Sequence, residues 1–259
     1  MKKVFIISLL ASTALFSVSC YKDPKDRAYI AESSFSNSTN ALLKINYLSA
    51  YAGNPSVQLS INNQRVSGLI AGRTPFPGGG YNTNGSSFPD YLSVKPGTAV
   101  LTIAIPKKGT NVDSVLFFTG NLSMEAGKNY TAHITDTAAK TKMALIEDNL
   151  SFPPANASKY RFLNMMPNVA AIDLYYGTKL MATNIPYLGS SPYFTMPVPV
   201  TSVAWFIRET GTSATSTALA TYSSSNTTLN QKVYTAFALG YKGVSAINTR
   251  PYISFLLNK

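Results

Sequence analysis

The chain has one cysteine, one histidine and only eleven carboxylates among 259 residues. A single cysteine excludes an internal disulfide, so stability has to come from an apolar core. A single histidine excludes a histidine-rich zinc site by count. Any Ser-His-Asp constellation would have to use His133. No long stretch repeats its apolar residues at a helical period, which removes helical bundles and coiled coils. No apolar run reaches the roughly 20 residues of a membrane-spanning helix. Calcium takes about six or more oxygens, usually with several carboxylates close together, and no such run occurs. Gly78-Gly79-Gly80 is followed neither by Gly-Lys-Ser/Thr nor by a helical pattern, so it is not a phosphate loop. No metal and no cofactor is expected.

Charge is sparse and one-sided. Charged residues make up 13% of the chain against 45% hydrophobic, the composition of a folded protein. The formal charge is +11, with 22 Lys and Arg. Nucleic-acid binders gather such residues on one face or in one run. Beyond the first residues the only basic doublet is Lys107-Lys108, and the rest are scattered. Nucleic acid is therefore not an expected partner. The charge reads as solubility and weak attraction to an anionic cell surface.

The N-terminus has a basic start at Lys2-Lys3, an uncharged apolar run from Val4 to Val18, then Ser19-Cys20. That is the layout of a secretory signal, too short to be a spanning helix. Val18-Ser19-Cys20 resembles the lipobox of bacterial lipoproteins, although Ser17 stands where a leucine-like residue is usual. The resemblance implies cleavage after residue 19 and acylation of Cys20. Two or more acyl chains would then hold the protein on a membrane. Tyr21-Lys22-Asp23-Pro24-Lys25-Asp26 is either a solvated tether or, by its Lys-Asp pair, similar to the surface-export signal of gut-type Gram-negative lipoproteins. The expected location is the outer membrane and the cell surface, with a periplasmic orientation left open.

Period-two alternation dominates the mature chain, as in Leu43–Leu48, Val57–Asn62 and Val100–Ile105. Asn62-Asn63, Pro96-Gly97 and Lys108-Gly109 are turn signals. Short strands with turns about every ten residues predict an all-β sandwich. The pattern also repeats. Leu43-Lys44-Ile45-Asn46 aligns with Arg161-Phe162-Leu163-Asn164, and Val57–Ile61 with Ile172–Tyr176. Asp90–Val94 aligns with Pro192–Met196, Val100–Ile105 with Val203–Ile207, and Tyr130-Thr131-Ala132 with Tyr234-Thr235-Ala236. The same order with length changes confined to loops predicts a duplicated unit. The expected layout is a signal peptide over 1–19, a lipidated tether over 20–40 and a first domain over 41–150. After these come a Pro-containing linker over 151–158 and a second domain over 159–259.

Arg161–Pro167, Ile172–Gly177, Asn184-Ile185-Pro186-Tyr187 with Tyr193, and Tyr234-Thr235-Ala236 resemble domain of unknown function 4397. The resemblance covers 159–259 well and 41–150 more loosely, because that copy has a long insertion after Gly68 and lacks the Asp that Asp173 provides. It implies two tandem immunoglobulin-like antiparallel β-sandwiches in an envelope or secreted protein. It implies no activity.

Candidate chemistry is thin. His133 aligns with Phe237, which marks it as a space-filling residue. Glu147-Asp148 are adjacent, so on a strand they would face opposite ways, against a paired acid and base. A pair such as Asp90 and Asp113 meeting in space is not excluded by sequence. Asp113-Ser114-Val115 and Asp136-Thr137-Ala138 resemble an O-glycosylation tripeptide. The first copy also carries an insertion, residues 72–90, rich in rings, amides and glycine. Structureless loops of that length are often functional. Arg73, Phe76, Tyr81, Asn82, Asn84, Phe88 and Asp90 are the candidate ligand-binding residues, suited to sugar faces and hydroxyls. Alternatively the rings only cap the sandwich. The expected function is a non-enzymatic surface binding or adhesion module for glycan or another external ligand. An envelope protein pairing sheet edges with a partner is the alternative, and a hydrolase the third reading.

Overall fold

The computed structural model describes residues 38–72 and 91–259. The chain divides into two compact units, residues 1–30 and 31–259, and every described residue belongs to the second. Apart from two single 3-10 turns, at Ala138–Lys140 and Ser225–Thr227, the described structure is β.

The first half contains β1 (Ala41–Tyr47), β2 (Gln58–Ile61), β3 (Gln64–Arg65), β4 (Leu92–Val94), β5 (Gly97–Pro106), β6 (Asp113–Met124), β7 (Asn129–Thr135) and β8 (Lys142–Glu147). They form two sheets of order β4-β1-β7-β8 and β3-β2-β5-β6. The second half contains β9 (Ala157–Asn164), β10 (Ala171–Tyr176), β11 (Lys179–Pro186), β12 (Phe194–Pro197), β13 (Trp205–Glu209), β14 (Ala220–Tyr222), β15 (Val233–Leu239) and β16 (Tyr252–Leu257). Their sheets run β12-β9-β15-β16 and β11-β10-β13-β14. Strand β9 thus begins two residues inside the expected linker. The turn signals all mark residues at positive φ: Asn62 and Asn63 at 49° and 63°, Gly97 at 103° and Gly109 at 74°. Asn62-Asn63 joins β2 to β3 as a two-residue hairpin, for which two successive positive φ values are required.

Each half is a sandwich closed around its own core. Leu43, Ile45 and Tyr47 of β1 meet Leu59, Leu101, Ile103 and Ile134 in the first. Tyr160, Phe162, Leu174, Ile207 and Phe255 surround Trp205 in the second. The Trp205 indole N–H, which burial would otherwise strand, donates to Thr227 Oγ1 at 3.0 Å.

The described strands form the expected all-β, antiparallel-rich sandwiches, and two finer details differ. The sheets are not wholly antiparallel, because β1 pairs parallel with β7 and β9 with β15. The chain crosses the other sheet between these partners, so no hairpin fixes their direction. The repeat is also offset by one residue at its first strand. Lys44 faces Thr131 in register, and Arg161 faces Thr235. Lys44 therefore corresponds to Arg161, Leu43 to Tyr160 and Ile45 to Phe162. The alignment of Leu43 with Arg161 placed a core residue opposite one from the other face, as a one-residue slip must.

The two sandwiches pack sheet against sheet. Strands β1, β7, β9, β15 and β16 are buried along both faces. One face serves its own core. The other meets the opposite half in a seam, whose apolar part holds Leu48, Leu163, Met165, Phe237, Leu239 and Leu256. Thr135 Oγ1 donates across it to Met165 O at 2.6 Å, and Tyr241 OH to Asp136 Oδ1 at 2.7 Å.

Candidate functional site

Cys20 and the insertion residues Arg73, Phe76, Tyr81, Asn82, Asn84, Phe88 and Asp90 lie outside the described residues. His133 is fully buried in the seam, with its ring centroid 6.3 Å from that of Phe237. The two equivalent residues thus pack on one another. Asn46 Nδ2 lies 3.0 Å from His133 Nδ1, the geometry of an amide N–H donating to a neutral ring. Burial, then Arg161, then Lys44 hold the imidazole well below its usual range. Glu147 and Asp148 do face opposite ways. Glu147 is exposed and pairs with Lys128 at 3.1 Å, whereas Asp148 is buried.

Asp148 anchors a polar cluster within the seam. It forms an ion pair with Arg161, with side-chain exposures of 0% and 3%. It also accepts from Thr131 Oγ1 at 2.6 Å and from Tyr91 OH at 3.0 Å. The cluster has an approximate internal two-fold symmetry. Asn258 takes the place of Asp148 in the second half and accepts from Thr235 Oγ1 at 2.8 Å. Lys44 crosses the seam to Leu257 O, as Arg161 crosses to Glu147 O. Lys44 lies over the Tyr91 ring at 4.6 Å, and Arg161 over the equivalent Tyr193 ring at 5.1 Å. Thr131, Asp148, Arg161 and His133 are each no more than 3% exposed. A substrate cannot reach them, so their chemistry is that of an interface.

A reachable feature among the described residues is a groove of about 550 Å³ at one end of the first sandwich. Its walls come from Pro55 and Ser56 before β2, Arg65 on β3, Leu69 beyond it, and the β5–β6 hairpin from Ile105 to Asn111. The hairpin is held rigidly. Thr110 N donates to Lys107 O at 2.9 Å, and Lys107 N to Val112 O at 2.7 Å. Gly109, at φ +74°, supplies the left-handed turn residue. Gln58, buried on β2, ties down the hairpin base by donating from Nε2 to Asn111 O at 3.0 Å and to Asp113 Oδ1. In the second half its counterpart Asp173 accepts from Thr183, Thr210 and the backbone of Asn184, holding a bulged β11. Arg65 donates to Ser67 O at 2.6 Å and to Asn111 Oδ1.

Three cations, Arg65, Lys107 and Lys108, line the groove, and among the described residues no carboxylate does. None of the ion pairs among the described residues involves them. Nor do the described residues bring together three His, Cys, Asp or Glu side chains that could hold a metal. Sequence reasoning singled out Lys107-Lys108 as the only basic doublet but gave it no role in binding. The signal was there in the doublet, but Arg65 is 42 positions away and joins it only through the fold.

No curated protein matches the sequence. Among solved structures, a leucine-rich repeat protein from Bacteroides thetaiotaomicron is 11% identical over 80% of this chain, with a TM-score of 0.17. This chain spans about a quarter of that protein, 26%. A score so low carries no structural argument. The family described as Domain of unknown function (DUF4397) matches residues 43–175, just over half of the chain. The match lies on the first sandwich and the opening strands of the second, not chiefly on 159–259 as the short motifs suggested. The chain belongs to the DUF4397 family.

Proposed function

We propose that this chain is a non-enzymatic, lipid-anchored protein of the outer membrane surface that binds an external glycan through the end of its first sandwich. Its second sandwich is read as a further copy of the family domain, immunoglobulin-like as the first. The observation carrying the binding reading is the groove beneath the β5–β6 hairpin, with cations that have no ion-pair partner among the described residues. Concave sites with apolar walls and a few placed polar groups are where ligands bind. Here Leu69, Ile105 and Pro106 form the walls. The anchor rests on the lipobox-like Val18-Ser19-Cys20. The test is retention of a soluble Cys20→Ser form on immobilised polysaccharides, beside a variant whose Lys107–Asn111 hairpin is shortened to a two-residue turn. Retention is expected for the first and not for the second. Equal retention of both, or of neither, would refute the reading. External protease added to intact cells should digest the mature chain; protection until lysis would move it to the periplasmic face.

The sheet-edge reading keeps one supporting observation. Strand β6 is a 12-residue edge strand with no charge from Ser114 to Met124. Val115 and Leu116 on it are 49% and 63% exposed. Long apolar edges template pairing with another chain, and lysine blocks such pairing. Thr119→Lys with Asn121→Lys should then abolish cross-linking of the protein to an envelope partner. Unchanged cross-links would exclude this mode.

A further inference from the structure

The chemistry of the groove narrows its ligand. Resting on the reading that the groove binds glycan, we infer that the ligand is an anionic polysaccharide, bearing uronate carboxylates or sulfates. Arg65, Lys107 and Lys108 bring three positive charges to one concavity of about 550 Å³. Ser56, Thr110 and Asn111 add neutral polar side chains to that lining. Asn111 Oδ1 is taken by Arg65, which leaves its amide nitrogen to donate. Thr110 Oγ1 already accepts from Val112 N at 3.2 Å and donates to Lys107 O. A site offering three cations and, among the described residues, no carboxylate suits a ligand rich in acceptors, because charge-assisted bonds to carboxylate or sulfate oxygens are the strong ones.

Other ligand classes fit less well. Neutral sugars stack on aromatic rings and share hydroxyl protons with acidic side chains. Among the described residues the lining has neither an aromatic ring nor a carboxylate. Single-stranded nucleic acid needs the same missing rings for its bases. A bilayer surface calls for a projecting apolar face, whereas these cations surround a concavity. The aliphatic surfaces of Leu69, Ile105 and Pro106 suit the C–H faces of a pyranose between its charged groups.

The experiment uses the full mature chain with Cys20→Ser and four probes: polygalacturonate, heparin, dextran, and vesicles containing phosphatidylglycerol. Binding of polygalacturonate or heparin, weakened by added salt, is expected. Lys107→Ala with Lys108→Ala should weaken it about tenfold or more, because both charge-assisted contacts are lost. Lys95→Ala with Lys142→Ala removes the same charge from exposed positions outside the groove and should change binding less than twofold. Equal losses from both double variants would overturn the site, leaving only diffuse attraction. Dextran binding as tight as that of the acidic polymers would overturn the ligand class while the glycan reading stands. Binding to vesicles alone, or to no saccharide, would overturn both.

Discussion

His133 shows how one residue can couple the seam to pH. Its folded-state pKa is held well below the ordinary 6.5 by burial and by Arg161 and Lys44. Above about pH 7 the ring is neutral in both the folded and unfolded chain, so it adds no pH dependence. As pH falls below 6.5 the unfolded chain takes up a proton and the folded chain does not. Stability then falls by roughly 1.4 kcal/mol per pH unit until the depressed folded pKa is reached. His133→Phe copies the residue at the equivalent Phe237 and should remove this component. Urea unfolding between about pH 7 and pH 5 should show a shallower decline for the variant, and coincident slopes would refute the assignment. Asp148 matters through charge pairing. Its carboxylate is buried against Arg161. Asp148→Ala should cost about 3–5 kcal/mol by leaving the guanidinium uncompensated, and adding Arg161→Met should recover much of that. If the double variant is as unstable as the single, the cost lies in packing instead.

At the scale of elements, alternation was readable wherever a strand has one buried face. Strand β5 is such a strand, with Ala99, Leu101 and Ile103 in the core. The alignment of one half with the other failed at β1 and β9, which are buried on both sides. There Arg161 and Lys44 occupy seam positions with buried neighbours on either side, and pattern alone could not say which face was the core. The register was recoverable only from pairing with β7 and β15. The groove was hidden for a related reason, since its cations sit on separate elements. Turns, by contrast, carry their signal locally. Gly240 leaves β15 at φ +90°, and a Cβ there would lie 2.1 Å from Arg250 O. It opens the loop from which Tyr241 reaches Asp136 and Asn248 reaches Ala52 O in the first half. Gly240→Ala should cost roughly 3 kcal/mol or more. Gly53→Ala, with nothing within 4 Å, should stay within about 0.5 kcal/mol of the parent. Comparable melting points for the two variants would contradict the geometry.

For the molecule as a whole, the seam changes what two sandwiches of like topology mean. Two sandwiches joined by a free linker would unfold independently, each on its own core. Here both inner sheets spend their second face on each other, and residues 31–259 form one compact unit. Separating the halves would expose Leu163, Met165, Phe237 and Leu256 together with Arg161 and Asp148. That pairs a lost apolar contact with an uncompensated charge, and each is costly. The halves should therefore melt together. Calorimetry of the Cys20→Ser chain should give one transition whose calorimetric and van't Hoff enthalpies agree. Leu163→Asp places a charge in the seam without touching either sandwich core, so it should split that transition into two. Two transitions in the parent chain would mean that the seam does not couple the halves. A single lowered transition in Leu163→Asp would mean that each sandwich depends on the other to fold at all.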